Sequence, residues 1–415
     1  MKESTFSVGP TNRWSVLFLL GLVFATTGNG AEQTEQDEDD FELAGANIGA
    51  LGDGGTLDLA DASFVGNPMS SVSRGWPEDL VIAPVPGRSP QIGWNLTLAA
   101  GYFFDNDDAE DQVDDGDENA RKSAIGGFAM IAENGSYAYG AGANLHLLED
   151  KLRVKAGAAF ADIEYAFYGI GNDLPDLGVS VDILQEMPLY FGSASYRVWS
   201  KLYLGLGYLG GTVDSTVRFS ISDPLPFAVP SVKLDLGAIT IPLQFDSRDH
   251  EQAPSSGWLI NGRASLYRES VGSDFDADIF MVNVNHYRPV RERDVLAFRA
   301  YARKTGGDDT PFFLLSTFGG STDLRGYPSG RYRDEMMYAL QSEYRWRFSE
   351  KWIFTGFAGF GEVAEKFSDF GENFLPAGGI GARFVLSEKH RISLSADIAV
   401  GNDGTEYYFG VGEAF

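Results

Sequence analysis

The chain has 415 residues, a formal net charge of −27 and no cysteine. Without cysteine it has neither disulfide bonds nor a cysteine-linked lipid anchor. A chain this acidic is repelled by phosphate backbones, which argues against nucleic acid as a partner.

The first 31 residues have the features of a secretory signal peptide. Lys2 and Arg13 precede an apolar run over residues 14–26, and small residues follow up to Ala31. This run is too short for a membrane-spanning helix, which needs about 20 apolar residues. The sequence therefore predicts that residues 1–31 are a signal peptide, cleaved near Ala31, and that the rest of the chain is exported.

Two acidic runs without lysine or arginine follow. Residues 32–42 hold seven acids, and residues 105–118 hold nine. Segments with many like charges and few apolar residues cannot form a core. We expect both runs to be solvated, and residues 32–83 to form an acidic, glycine-rich, largely disordered N-terminal segment.

Beyond about residue 90, the chain consists of short segments in which polar and apolar residues alternate. In residues 391–400 the apolar positions are Ile392, Leu394, Ala396, Ile398 and Val400. The positions between them are mostly polar and include Ser393, Ser395 and Asp397. Because side chains of a strand point to opposite faces in turn, the pattern predicts strands with one apolar and one polar face.

A soluble β-sandwich and an outer-membrane barrel both produce this alternation, and three observations favour the barrel. The segments are about 10–14 residues long, which suits a tilted span across a bilayer. Aromatic residues cluster at segment ends, as in interfacial girdles, and the apolar faces are rich in Gly and Ala. We therefore predict an all-β fold, a single antiparallel transmembrane β-barrel over residues 84–415, with its apolar face on lipid and its polar face on the lumen.

Fifteen segments fit this pattern, but bacterial single-chain barrels have even strand numbers. We predict sixteen strands, with the missing one near residues 80–85 or within residues 213–230. The short turns at 349–351 and 387–390 are expected to face the periplasm. The long connection at 305–334 is expected to face outward.

That long connection contains a motif typical of a known superfamily. Its centre resembles the V/L/I-R-G-F/Y loop motif of the bacterial surface antigen superfamily, which includes BamA-type and two-partner-secretion barrels. The matching residues are Gly319, Gly320, Leu324, Arg325, Gly326 and Tyr327. The superfamily's D-x-R-D turn resembles Asp246, Arg248, Asp249 and Gly257, and its G-E-A-F ending resembles residues 412–415.

The resemblance implies that the long sixth extracellular loop folds into the lumen, where Arg325 pairs with Glu343. It also implies a second acid, in an F-x-D-x-G pattern, but the chain has Gly359 at that position. Phe409 and Phe415, predicted to lie on the lipid-facing side of the last strand, match the signal for outer-membrane insertion. About 50 residues lie between Ala31 and Pro84, too few for periplasmic POTRA repeats, so the chain resembles the POTRA-less subgroup.

The sequence offers no catalytic, metal or cofactor site. It has no G-x-S-x-G motif, its four histidines are scattered, and its acidic runs do not fit calcium-loop spacing. The histidines are His146, His250, His286 and His390. We expect no enzyme activity, no cofactor and no bound metal.

Three functions remain open for such a barrel in the cell outer membrane. The first is a pore or a translocation or assembly component, the second is a structural platform that binds a partner, and the third, weakest one is an outer-membrane enzyme. The expected partners are outer-membrane lipid and lipopolysaccharide, the outer-membrane assembly machinery during insertion, and a second protein chain or a second copy of this chain.

Overall fold

The computed structural model describes residues 80–89, 92–104, 123–171, 181–218, 231–250, 253–307, 310–317, 319, 323–328, 330–387 and 391–415. The predicted signal peptide, most of the predicted N-terminal segment, the acidic run at 105–118, Gly320 and His390 lie outside the described residues.

The described chain is built from antiparallel strands. Their bounds are β1 Leu80–Ser89, β2 Gly93–Phe104, β3 Ser123–Ala132, β4 Tyr137–Leu147, β5 Leu152–Phe167, β6 Val181–Trp199, β7 Leu202–Arg218, β8 Ser231–Asp246, β9 Gly257–Tyr267, β10 Ala277–Pro289, β11 Val295–Gly306, β12 Ser316–Thr317, β13 Arg333–Asp334, β14 Met336–Arg347, β15 Trp352–Ala364, β16 Leu375–Ser387, β17 Ile392–Gly401 and β18 Gly404–Val411.

Sixteen of these strands form one sheet in which each strand pairs with its neighbours in chain order, while β12 and β13 pair separately. The predicted all-β, sixteen-stranded antiparallel barrel is confirmed. The strand that the alternation left out is β1, at the first of the two predicted places. β1, the first strand of the described residues, begins at Leu80.

The outer face of the sheet is apolar. Leu204 and Leu206 of β7 and Ile398 and Val400 of β17 are between 45% and 62% exposed. A continuous apolar surface of this kind is typical of contact with hydrocarbon rather than water. Trp352 stacks on Phe354 with ring centroids 6.2 Å apart, beside the turn at 348–351, as expected for an interfacial aromatic girdle. No helix in the described ranges is long and apolar enough to span a membrane.

The strand order places four of the short turns at the end of the barrel opposite the long connection at 307–335, here called the short-turn end. These turns join β4 to β5, β6 to β7, β10 to β11 and β14 to β15. The connection over residues 307–335, here called loop 6, joins the eleventh and twelfth barrel strands and lies at the opposite end.

The inward face has two layers, which differs from the wholly polar lumen that the alternation predicts. Near the loop 6 end, inward residues of β5 to β10 form an apolar layer with Phe313 and Leu314 of loop 6. Its members include Ile163, Ile183, Met187, Leu189, Leu209, Val213 and Ile279. Nearer the short-turn end, the same strands carry Arg153, Gln244 and Arg263. The apolar layer forms because loop 6 supplies apolar side chains that pack against the wall.

The first and last barrel strands meet at a seam. Among the described strands, no backbone ladder joins β1 to β18. Arg88 of β1 instead lies over the rings of Trp94 and Tyr407, at 5.6 and 5.7 Å from their centroids. Pro84 and Pro86 lack backbone N–H donors at alternate positions, and proline is tolerated at strand edges that leave such positions unpaired.

Candidate functional site

Loop 6 is held against the inner wall of the barrel by hydrogen bonds at its base. Ser316 and Thr317 pair with Asp334 and Arg333 in the β12–β13 ladder. From the wall, the Arg303 guanidinium donates to the carbonyl of Leu314 at 3.0 Å. These contacts fix both ends of the loop, so that its middle reaches into the lumen.

Arg325 lies at the centre of the buried part of the loop. Its guanidinium donates to Glu343 Oε2 at 2.7 Å and to Asp397 Oδ2 at 2.6 Å. Its Nε donates to Gln341 at 3.3 Å, and its plane lies 3.5 Å from the ring centroid of Phe357. The Arg325 and Glu343 side chains are both fully buried. The arginine is thus held by two carboxylates, an amide and an aromatic face.

Two further arginines extend this contact into an ionic cluster. Arg345 donates to Glu343 at 2.8 Å, and Arg383 donates to Asp397 at 2.5 Å. Arg383 also donates to Glu413 at 3.3 Å. The ionic cluster therefore consists of Arg325, Arg345, Arg383, Glu343, Asp397 and Glu413. Three positive charges face three negative ones, and such pairing is what a charge needs when it is removed from water.

Asp397 fills the role of the acid that the sequence lacks at position 359. The loop residue Leu324 lies over Gly359, where an added Cβ would come within 3.0 Å of Leu324 Cδ1 and still closer to the carbonyl oxygen of Leu340. An aspartate at this position would displace the loop, and the acid comes instead from β17. The alternation at 391–400 places Asp397 on the polar face, but its pairing with Arg325 depends on a fold contact across 72 residues.

The rest of the loop motif packs on the same wall. Gly326 has φ +120°, and a Cβ there would meet Ala377 Cβ at 2.9 Å, so the motif requires glycine. Its N–H donates to the Tyr408 hydroxyl at 2.9 Å. Tyr327 is fully buried, and its hydroxyl donates to the carbonyl of Pro376 at 2.6 Å. Arginine, glycine and tyrosine of the motif each make a separate contact with the barrel.

Gly319 and Asp323 precede this docked segment. The Asp323 carboxylate accepts from the backbone N–H groups of Leu324 at 2.7 Å and Gly319 at 3.2 Å. Burial raises the pKa of Asp323 to about 6, although these hydrogen bonds oppose the rise. The described part of the predicted glycine pair, Gly319, thus helps to close the turn that leads into the motif.

The predicted turn motif is brought together between β8 and β9. Arg248 donates to both oxygens of Asp246 at 3.0 Å. Asp249 accepts from the N–H groups of Ser255 and Ser256 at 2.9 and 3.0 Å and from the Ser255 hydroxyl. Burial works against ionisation of Asp249, but these donors hold its pKa below the usual value. Gly257 then begins β9 with φ +102°. These residues shape the turn, and Asp249 also pairs with Arg391 beside the start of β17, at 3.8 Å.

The end of the chain differs from the prediction. Phe409 stacks on Trp94, with centroids 5.9 Å apart, at the seam. Phe415 was expected on the lipid-facing side, but β18 ends at Val411 and Gly412, with φ +88°, redirects the chain. The Phe415 carbonyl accepts from Arg345 at 2.6 Å, and its ring packs beside the buried residues Tyr287, Val295 and Ala297. Phe415 therefore lies on the lumen side of the wall.

The described histidines belong to local structure. His146 bonds to Asp150 at 2.7 Å in the turn between β4 and β5, and His286 stacks on Trp258 with centroids 3.9 Å apart. Partial burial of Asp150 acts to raise its pKa. The hydrogen bonds from His146 and Arg153 outweigh this effect, so the pKa lies below its usual value. Within the described ranges, no three acidic or histidine side chains converge as metal ligands would.

Comparison with known proteins supports the family resemblance. A model of the Omp85 superfamily domain matches residues 229–415. No curated protein matches the sequence. Among solved structures, BamA from Haemophilus ducreyi lacking POTRA domains 1-3 is similar over 80% of this chain and 70% of that chain, with 13% identity and a TM-score of 0.56.

Two further solved structures share the fold. CdiB from Acinetobacter baumannii has 11% identity and a TM-score of 0.51, over 80% of this chain and 58% of that chain. CdiB from Escherichia coli has 13% identity and a TM-score of 0.51, over 81% of this chain and 63% of that chain. The chain thus spans less than two thirds of either CdiB chain. At these low identities, the TM-scores show a common fold and no more. Together with the domain match, they confirm the predicted resemblance to BamA-type and two-partner-secretion barrels.

Proposed function

We propose that this chain, an outer-membrane barrel whose residues 229–415 form an Omp85 superfamily domain, works as a pore or as a translocation or assembly component. The observation that carries the proposal is the anchoring of loop 6 inside the lumen by Arg325. The proposal assigns no enzymatic reaction to the barrel.

The arrangement of loop 6 supports a gated path. The loop and the apolar layer lie across the lumen, so passage requires that the loop move. A buried ionic cluster gives little net stability compared with apolar packing, and its best attested use is to fix one arrangement among several. Arg325 is accordingly the residue whose contacts determine whether loop 6 stays docked.

The route to the membrane is part of the same proposal. Residues 1–31 direct export and are removed near Ala31. The assembly machinery then recognises the last strand through Phe409 and Phe415 and inserts the barrel into outer-membrane lipid and lipopolysaccharide. The inward position of the Phe415 ring means that recognition precedes closure of the wall.

Conductance in planar lipid bilayers tests the gated path. Wild-type protein should show small or rare discrete steps, and Arg325→Ala should show larger or more frequent ones because loop 6 loses two carboxylate contacts. Arg291→Ala removes an arginine that is 75% exposed in the turn between β10 and β11, and it should behave as wild type. If neither the wild type nor Arg325→Ala shows conductance steps, the barrel has no conducting role.

A structural or partner-binding platform is the second candidate, and the seam favours it. An edge strand without a backbone partner can accept a strand from another chain. Arg88 of β1 contacts Tyr407 of β18 and Trp94 of β2, and no described ladder joins β1 to β18. The occupant would be a strand of a second protein or of a second copy.

A covalent closure of the seam tests this second role. The chain has no cysteine, so Arg88→Cys with Tyr407→Cys introduces one defined pair. When the two cysteines are reduced and the seam is open, crosslinking in cells should trap a partner protein or a dimer. When a disulfide between them closes the seam, this crosslinked product should disappear. Equal adducts in both redox states would show that the seam is not the docking edge.

A further inference from the structure

The inner wall carries a second polar site, separate from the ionic cluster. A cavity of about 1030 Å³, including the solvent at its mouth, lies against the inward faces of β5 to β11. Its charged lining residues are Arg153, Lys155, Arg263 and Arg303, and no aspartate or glutamate lines it. This is notable in a chain with a net charge of −27.

The strand register brings these cations onto facing walls. On one wall Arg153 lies opposite Ser195 and Lys155 opposite Ser193, across the β5–β6 ladder. On the other, Arg263, Met281 and Arg303 lie side by side on β9, β10 and β11. The cations therefore flank the cavity from two sides.

Neutral hydrogen-bonding groups fill the space between the two walls. The lining includes the hydroxyls of Ser193, Ser195, Thr240 and Ser265. Gly207 of β7 adds no side chain, since a Cβ there would meet Thr240 Oγ1 at 2.6 Å and Ser193 Cβ at 2.7 Å. Hydroxyl donors thus remain directed at the cavity along with the cations.

The cavity is also held in shape by bonds between its walls. Arg153 donates to Gln244 at 2.6 Å, and Gln244 donates to Asn261 at 3.0 Å, which connects β5, β8 and β9. Arg153 is further fixed by Asp150 at 2.6 Å. Arg303 is fixed by the loop 6 carbonyls of Leu314 and Leu315. In contrast, Lys155 makes no hydrogen bond or ion pair with any described residue, so its ammonium group is available to a ligand.

From these contacts we propose that the cavity is a binding site for a small oxyanion, a phosphate, sulfate or carboxylate group. Guanidinium and ammonium groups with hydroxyl donors match the acceptor oxygens of such a group, and no lining carboxylate repels it. Leu209, Tyr267 and Ile279 belong both to the lining and to the apolar layer, which closes the side towards loop 6. The anion enters from the short-turn end, and binding does not depend on whether the barrel conducts.

Titration of the purified barrel in non-ionic detergent tests the site, with inorganic phosphate, sulfate or acetate added at constant ionic strength. Wild-type protein should bind at least one of them saturably, beyond any effect of chloride. Lys155→Gln with Arg263→Gln should weaken binding roughly tenfold or more, because charge-assisted hydrogen bonds are lost. Lys201→Gln makes the same kind of charge change in the exposed turn between β6 and β7 and should bind as wild type.

A charge-conserving variant separates binding from folding. Lys155→Arg with Arg263→Lys keeps both positive charges, so it should bind more tightly than the doubly neutralised variant. Wild-type protein that binds none of the three anions beyond chloride overturns the proposal, as does equal binding by the doubly neutralised variant. Binding without bilayer conductance would refute only the conducting role, and conductance without binding would refute only the anion site.

Discussion

Removing one charge from the ionic cluster should cost far more than removing a matched pair. In the wild type three cations face three anions. Asp397→Asn leaves three cations facing two anions, and Arg325→Gln leaves two facing three. Combining both substitutions restores the balance at two and two. Because a lone charge in a buried site lacks compensation, each single variant should lose about 3–5 kcal/mol of unfolding free energy.

The double variant measures how much of that loss belongs to the pair. Arg325 Nη1 and Asp397 Oδ2 are 2.6 Å apart and almost fully buried, so the coupling should reach about 2–3 kcal/mol. The double variant should then lose less free energy of unfolding than the sum of the losses of the two single variants. Unfolding by urea in lipid vesicles, followed by tryptophan fluorescence, gives the three free energies, and proteolysis reports release of loop 6.

An exposed pair of similar length provides the control. Lys151 and Glu149 are 2.7 Å apart, but their side chains are 46% and 48% exposed. The same cycle there should give a coupling below about 1 kcal/mol, because water screens the charges. If the Arg325 and Asp397 losses prove additive, or match those of the exposed pair, the two residues do not form a buried anchor for the loop.

Three further variants address the docked loop. Gly359→Ala should destabilise the barrel by about 1–3 kcal/mol and expose loop 6 to protease, because the new Cβ meets both the Leu340 carbonyl oxygen of β14 and Leu324 Cδ1 of the loop. Gly356→Ala on the same strand meets nothing within 4 Å and should have little effect. Equal losses in the two variants would show that the space at Gly359 is not needed. Loop docking should weaken as the pH rises from about 4 to 6 and then level off, because the Asp323 carboxyl, whose pKa is raised to about 6 in the docked state, loses its proton over this range. Asp323→Asn should remove this pH dependence of protease protection. An unchanged pH dependence would assign it to another group. Tyr408→Phe should lower the free energy of unfolding by about 1–2 kcal/mol, because the Gly326 N–H loses its acceptor. Tyr407→Phe removes a hydroxyl from a residue that is 41% exposed, and it should be nearly neutral in the same urea unfolding. Similar values for the two variants would refute the role of the Tyr408 hydroxyl.

The sequence predicts the barrel because its information is local. Period-two alternation identifies strands wherever one face meets lipid. The even-number rule required one more strand and left two places for it, and the structure shows that this strand is β1, whose pattern Pro84 and Pro86 interrupt. The pairing of Arg325 with Glu343 was expected from the resemblance of the loop motif to the surface antigen superfamily, and not from the strand pattern. In the structure their nitrogen and oxygen are 2.7 Å apart.

What the sequence leaves open depends on contacts between distant segments. Asp397 looks like any polar residue of a strand until the fold places β17 beside the docked Arg325. Phe415 follows the lipid-facing alternation of β18, and only the turn at Gly412 and the bond to Arg345 bring it inward. The apolar layer is equally hidden, because its partner is loop 6 and not another strand.

The chain positions of the ionic cluster bear on the order in which the barrel folds. Its members extend from Arg325 to Glu413, so loop 6 and the five strands that follow it must all be in place before the charges balance. Until then the charge of Arg325 would be buried without all of its partners, so loop 6 stays in water outside the lumen. Docking of the loop is therefore a late step of folding, which occurs only after the last strands have formed. A chain whose folding stops before β17 should keep a protease-sensitive loop 6.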